Sequence, residues 1–193
     1  MKKDGLDAAR VKFILLTHAH FDHVGGCEYF RTHYQTKIVC SAYEAEVLSA
    51  GPVNFFHMDA EDPALASWKN MPAFEPDILI GDQDEICLGT LRIRAVLTPG
   101  HTRGSVCYEM QADGQVSLFT GDTVFYNGFI SLLSPPFSYY EGYREGVLKL
   151  KGKNIDGLYP SHLMWTTVNG QRHIDIAIER FQNYLLPVIK PFS

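Results

Sequence analysis

The sequence predicts an α/β fold, and three observations carry that expectation. Short apolar runs rich in Val, Ile, Leu and Phe alternate with stretches that read as helices. At four places a metal-type residue stands just past the end of such a run: His18 and His20, then His101, then Asp122, then His162. Chemistry gathered on loops at strand ends is what a rigid α/β scaffold offers. Finally, 193 residues with 46% apolar and 20% charged side chains suit one domain with a real core.

Taken in order, Met1 to Arg10 is polar and reads as a tail or a short helix end. Val11 to Leu16 is the first strand; the run is short and rich in Val, Ile, Leu and Phe, so it reads as buried. Val24 to Tyr34 reads as a helix whose first turn, at Gly25 and Gly26, approaches neighbouring backbone closely. Lys37 to Cys40 is a strand. Ser41 then caps a helix to about Leu48, with Glu44 completing a capping box. Residues 51–76 hold four prolines and the aromatics Phe55, Phe56, Trp68 and Phe74. They read either as a lid or binding loop or as a packed surface excursion, with a short helix near Ala64 to Lys69.

Strands return at Ile78 to Ile80, Glu85 to Leu88 and Leu91 to Leu97, the last two joined by a tight turn. Thr98-Pro99-Gly100-His101-Thr102 breaks the run. Ser105 to Met110 and Gln115 to Thr120 form a hairpin across Ala112-Asp113-Gly114, ended by Gly121-Asp122-Thr123. Asn127 to Tyr140 is irregular and aromatic. Glu141 to Lys151 is helical, Gly157 to Tyr159 a strand, and Pro160-Ser161-His162 follows. Ile174 to Leu186 is an amphipathic helix with Ile174, Ile178, Phe181 and Leu185 on one face.

Composition narrows the function classes. The formal net charge is −5 and no basic stripe appears, which argues against nucleic acid as the partner. Lys149, Lys151 and Lys153 read as a solvated helix end. No apolar run reaches membrane-spanning length, and the first ten residues are not a signal peptide. The four cysteines have no C-x-x-C spacing and read as buried, reduced thiols of a cytoplasmic protein. Cys27 lies near the histidine motif, but helix packing is its better reading.

The densest chemistry is Thr17-His18-Ala19-His20-Phe21-Asp22-His23-Val24-Gly25-Gly26. In extended chain His18 and His20 point the same way, and Asp22 and His23 follow as the backbone turns. Taken alone, Asp22 reads better as a helix N-cap than as a ligand. Imidazole nitrogen and carboxylate oxygen are ligands that zinc and its neighbours prefer. Crowding four such groups beside a buried strand is unfavourable without a cation.

This motif, together with Thr98-Pro99-Gly100-His101-Thr102-Arg103-Gly104-Ser105, Phe119-Thr120-Gly121-Asp122-Thr123 and Pro160-Ser161-His162, resembles the metallo-β-lactamase-fold hydrolase superfamily. The resemblance implies a four-layer αβ/βα sandwich of two mixed β-sheets over residues 1–193. It also implies two metals, usually zinc, with iron or manganese as alternatives. His18, His20 and His101 would hold the first, Asp22, His23 and His162 the second, and Asp122 would bridge both. A hydroxide between the metals would attack a small ester, thioester or lactone. Asp22 would orient it and pass a proton to the leaving group.

Asp122 resembles the bridging residue of the glyoxalase II and lactonase branch, which points away from antibiotic hydrolysis. The Gly-Cys-Gly-Arg run expected after Gly-Asp-Thr in glyoxalase II is replaced by Asn127-Gly128-Phe129-Ile130-Ser131. A glutathione thioester is therefore not the favoured substrate. Tyr126, Tyr139 and Trp165 are candidates to line the pocket, with plain packing as their competing reading. The superfamily usually places several strands before its histidine motif. Here the first strand falls ten residues from Met1, so the expected domain lacks the opening strands of its first half. Two other readings stand beside a dinuclear hydrolase: a mono-iron sulfur dioxygenase-type oxidoreductase of the same fold, and an inactive fragment needing a partner segment. The expected partner is a small-molecule substrate, with no nucleic acid and no membrane, and a homo-oligomer is compatible with the sequence.

Overall fold

The computed structural model describes residues 1–59, 61–71, 73–134 and 136–183. The chain divides into two units, Met1–Ile80 and Gly81–Ser193.

The first unit is built on a three-stranded parallel sheet: β1 (Phe13–Leu15), β2 (Lys37–Cys40) and β3 (Ile78–Leu79), in that order. β2 is central, so Ile38, Val39 and Cys40 are all buried and the strand shows no polar alternation. Parallel neighbours need crossovers, and helices supply them. These are α1 (Phe21–Val24), α2 (Cys27–Tyr34), α3 (Ala42–Ala50), α4 (Pro52–Phe55) and α5 (Ala66–Lys69). Leu16, Val24, Cys27, Ile38, Val47, Leu48, Met71 and Phe74 form the core, with Phe55 and Phe56 packed against it.

Three expectations change here. The helix expected over Val24 to Tyr34 is two helices, separated at Gly25-Gly26, and the first begins at Phe21. Asp22 is therefore inside α1, and His20 holds the N-cap position. The capping box of α3 does not form: Ser41 makes no side-chain cap bond. Glu44 turns away because a buried loop amide claims it, the Ala19 N–H, at 2.7 Å. The region 51–76 is also more regular than expected, with α4 and a 3₁₀ turn at Pro63–Leu65 preceding α5.

The second unit is a five-stranded mixed sheet in sequence order: β4 (Glu85–Leu88), β5 (Leu91–Leu97), β6 (Val106–Ala112), β7 (Gln115–Gly121) and β8 (Gly157–Pro160). Pairing is antiparallel up to β7, and β8 joins parallel to it. Asp113 (φ 50°) and Gly114 (φ 76°) are both left-handed, which suits a two-residue hairpin between Ala112 and Gln115. The β7–β8 register shifts between Phe119 and Gly121, just before Asp122. Helices α6 (Tyr140–Leu148) and α7 (Gly170–Gln182) complete the unit. Its core joins Val96, Cys107, Leu118, Tyr143, Val147, Leu158, Ile174 and Ile178.

Three readings are corrected. α7 starts at Gly170, because Asn169 takes a left-handed turn (φ 56°) that carries no side-chain cap signal. Its expected end at Leu186, with Leu185, lies outside the described residues. Cys87 is exposed on β4, where only Ile86 is partly covered, while Cys27, Cys40 and Cys107 are buried. Two of the three lysines are not merely solvated. Lys149 Nζ donates to Asp82 (3.0 Å) and to Leu97 O (2.9 Å), and Lys153 donates to Glu109 (2.8 Å).

Candidate metal centre

Four of the proposed ligands meet within the first unit. His18 and His20 flank Ala19 where the chain leaves β1, and both are buried. The His18 and His20 ring centroids are 4.5 Å apart, and His18 and His23 are 4.0 Å apart. Asp22 Oδ2 lies 3.5 Å from His23 Nε2. The local cause is a short sequence of conformations. Leu16 N–H still bonds the Val39 carbonyl (2.9 Å), His20 is extended (φ −76°, ψ 152°), and α1 then coils Asp22 and His23 back beside the strand end. Glu44 Oε2 accepts the Ala19 N–H between the two histidines and so fixes the backbone that aims them. Thr17 Oγ1 lies 3.1 Å from His18 Nδ1, and Trp68 sets its ring edge-on to His20 with centroids 5.0 Å apart.

The other three meet within the second unit, around one carboxylate. His101 Nε2 lies 3.6 Å from Asp122 Oδ2, and His162 Nε2 lies 3.7 Å from Asp122 Oδ1. Each oxygen of Asp122 thus has its own imidazole, at a separation longer than a hydrogen bond. His101 Nδ1 is 2.9 Å from the Ser131 carbonyl, which only accepts. Nδ1 therefore carries the proton, and the lone pair is left on Nε2, facing Asp122.

The supports of this cluster reach into the core. The Tyr143 hydroxyl lies 3.0 Å from Asp122 O and 2.9 Å from Thr123 O, and donates to these carbonyls. Burial, and then the neighbouring Asp122 charge, push the Tyr143 phenol well above its ordinary value, so it stays a donor. A Cβ on Gly146 would lie 2.5 Å from Pro99 O, and one on Gly100 would lie 2.6 Å from the Tyr143 ring. Those two glycines let α6 press directly on the turn that delivers His101.

Sequence reasoning missed Glu44, Ser131, Tyr143 and the contact of Trp68 with His20. Of the candidate pocket residues, Tyr126 packs on His173 with centroids 4.1 Å apart, and Tyr139 lies under the Arg103 guanidinium at 4.3 Å. Trp165 stacks on Tyr159 and is largely exposed. Cys27 belongs to the core of the first unit, and burial raises its thiol to about 11. Its thiol is therefore an inert packing group.

Imidazoles, one of them with its tautomer fixed by a carbonyl, and carboxylates at strand ends form a donor set suited to a divalent cation such as zinc. Residues 1–162 match the model of the Metallo-beta-lactamase superfamily, and the chain belongs to that superfamily. It is 32% identical over 186 residues to the acyl-coenzyme A thioesterase MBLAC2 of Homo sapiens, covering 89% of this chain and 62% of that protein. It is 33% identical over 119 residues to the hydroxyacylglutathione hydrolase of Anaeromyxobacter dehalogenans (strain 2CP-C), covering 62% of this chain and 35% of that protein. These curated relatives are thus longer than the part of them that this chain spans. The fold is that of the native FEZ-1 metallo-β-lactamase from Legionella gormanii, with a TM-score of 0.72 at 23% identity over 95% of this chain and 77% of that one. Among the described residues, no helix is long and apolar enough to cross a membrane.

Proposed function

We propose that this chain is a dinuclear metal-dependent hydrolase, zinc being the expected metal, acting on a small thioester, ester or lactone. The observation that carries the reading is Asp122. Its two oxygens each face a different histidine, 3.6 and 3.7 Å away, as a carboxylate shared by two cations would. On this reading His18, His20 and His101 would hold one cation and Asp22, His23 and His162 the other, and Asp122 would serve both. The donor set fits: the Ser131 carbonyl has already fixed the His101 tautomer that ligation needs.

When bound, the two cations supply a nucleophilic oxygen at neutral pH and polarise the substrate carbonyl. The remaining work falls to the chain itself. Asp22, half exposed at the start of α1, takes the proton of the attacking water and returns it to the departing thiolate or alkoxide. Glu44 and Ser131 keep the imidazoles aimed while this happens.

A thioester is the favoured member of the substrate class, because relatives matching this chain are named as thioester hydrolases. The glutathione form is less favoured, since Asn127 to Ser131 stands where the glutathione-type run would be. The four free thiols favour a reducing compartment such as the cytoplasm. The test is a screen of zinc-loaded protein against acyl-thioesters, lactones and phosphodiesters. Thioester or lactone hydrolysis abolished by chelation is the expected result. Phosphodiester cleavage alone, or no turnover by the loaded protein, would overturn the reading.

A further inference from the structure

We infer that the uncharged turn after His162 is a ledge that receives the apolar acyl chain of the substrate; this deepens the thioester reading above and rests on it. From Gly157 to Gln171 the chain has no Asp, Glu, Lys or Arg. After β8 it reverses and returns to the same strand. Leu158 and Thr166 exchange both backbone hydrogen bonds, at 2.9 and 3.0 Å. The reversal forces Leu163 into the left-handed region (φ 67°), a strained conformation for a leucine.

The turn so anchored shows apolar side chains to solvent: Leu163 is 53% exposed, Met164 62%, Trp165 61% and Val168 60%. Trp165 does not swing freely, because it ends a ladder of near-parallel rings. Its ring stacks on Tyr159 (6.0 Å, 21°), which stacks on Phe119 (5.1 Å, 20°). Four exposed apolar side chains within six residues of chain mark a surface that something covers.

Position and charge select the occupant. The patch begins at the residue after His162, one of the proposed ligands, so it borders the place where the substrate carbonyl would be held. Three residues of chain span at most about 10 Å, the reach of a medium-length acyl chain. The thiol carriers of biological thioesters bear phosphates or carboxylates, which basic side chains recognise. This segment offers none, and an alkyl tail needs none.

The test has two arms. The protein contains two tryptophans, so Trp68→Phe leaves Trp165 as the sole emitter. Titrating that variant, metal-free, with decanoate should shift Trp165 emission to the blue, and acetate should not. In the zinc-loaded protein, kcat/KM measured on one thiol from acetyl to decanoyl should rise by about ten-fold or more, the effect of covering roughly two methylenes. Trp165→Ala and Met164→Ser, both at exposed positions, should flatten that slope. An unmoved emission, a flat slope in the parent protein, or a slope untouched by both variants would each overturn the ledge. So would a blue shift that follows protein concentration without decanoate, which would assign the patch to a second copy. If the protein hydrolyses no thioester at any chain length, the thioester reading fails, and the ledge as a substrate site fails with it. The decanoate titration would still show separately whether the patch takes an alkyl chain.

Discussion

Glu44 shows why single residues were only partly legible. Its spacing from Ser41 fits a capping box, yet its carboxylate serves the Ala19 amide 25 residues earlier. A contact between a helix and a remote loop leaves no local pattern, and the same holds for the Ser131 carbonyl behind His101 and for Tyr143 behind Asp122. The clustered groups of the histidine motif were visible because they lie within six residues, at a strand end and one helical turn. Two predictions belong at this scale. Glu44→Ala leaves a buried N–H without its acceptor and should cost about 1–3 kcal/mol in urea unfolding of the metal-free protein. An unchanged midpoint would show that the contact does not hold the loop. Asp22→Asn should keep the fold, seen by circular dichroism, and lower turnover by about 10²–10⁴. Turnover near that of the parent would remove Asp22 from proton transfer.

Among the elements, strands were read more accurately than helix starts. β4 and β5 match their expected spans, because Gly89 and the alternation of side chains fix a tight turn at Leu88–Leu91. Helix starts slipped where no capping side chain announces them. α1 follows His20 and α7 follows a left-handed Asn169, and neither has a side-chain cap bond. The contact of α6 with the Pro99–Gly100 turn was also hidden, since two glycines far apart in sequence permit it. Gly146→Ala would drive a methyl into Pro99 O, 2.5 Å away, and rigid backbone leaves it nowhere to go. We expect a loss of about 1–3 kcal/mol in chemical denaturation, together with weaker zinc retention, because the turn carries His101. A variant as stable as the parent would mean that α6 does not brace this turn.

Across the whole molecule, acid should act in two stages. His173 is buried, and its Nδ1 accepts the Asn127 N–H at 3.0 Å. Burial, followed by the Arg172 charge, holds its pKa below the ordinary value of 6.5. Its stabilisation is therefore full above pH 6.5 or so and is lost as pH falls through the lower folded value. Asp77 and Asp82 follow at lower pH. Burial works against their charge, but amide hydrogen bonds from Ile38 and Leu97 and the ammonium groups of Lys37 and Lys149 hold both below the usual 3.8. Their contribution persists above the ordinary carboxylate range and disappears as pH drops through the depressed values. Urea midpoints against pH should show the first stage reduced in His173→Gln, and an identical profile in that variant would refute the assignment.

The claim on which the rest depends is that the histidine motif, His101, Asp122 and His162 serve one pair of metals. The direct measurement is zinc per chain after equilibrium dialysis, in the parent and in Asp122→Ala. About two zinc ions per chain in the parent, falling to about one or fewer in the variant, is the expected result. One zinc in both proteins would contradict the shared centre.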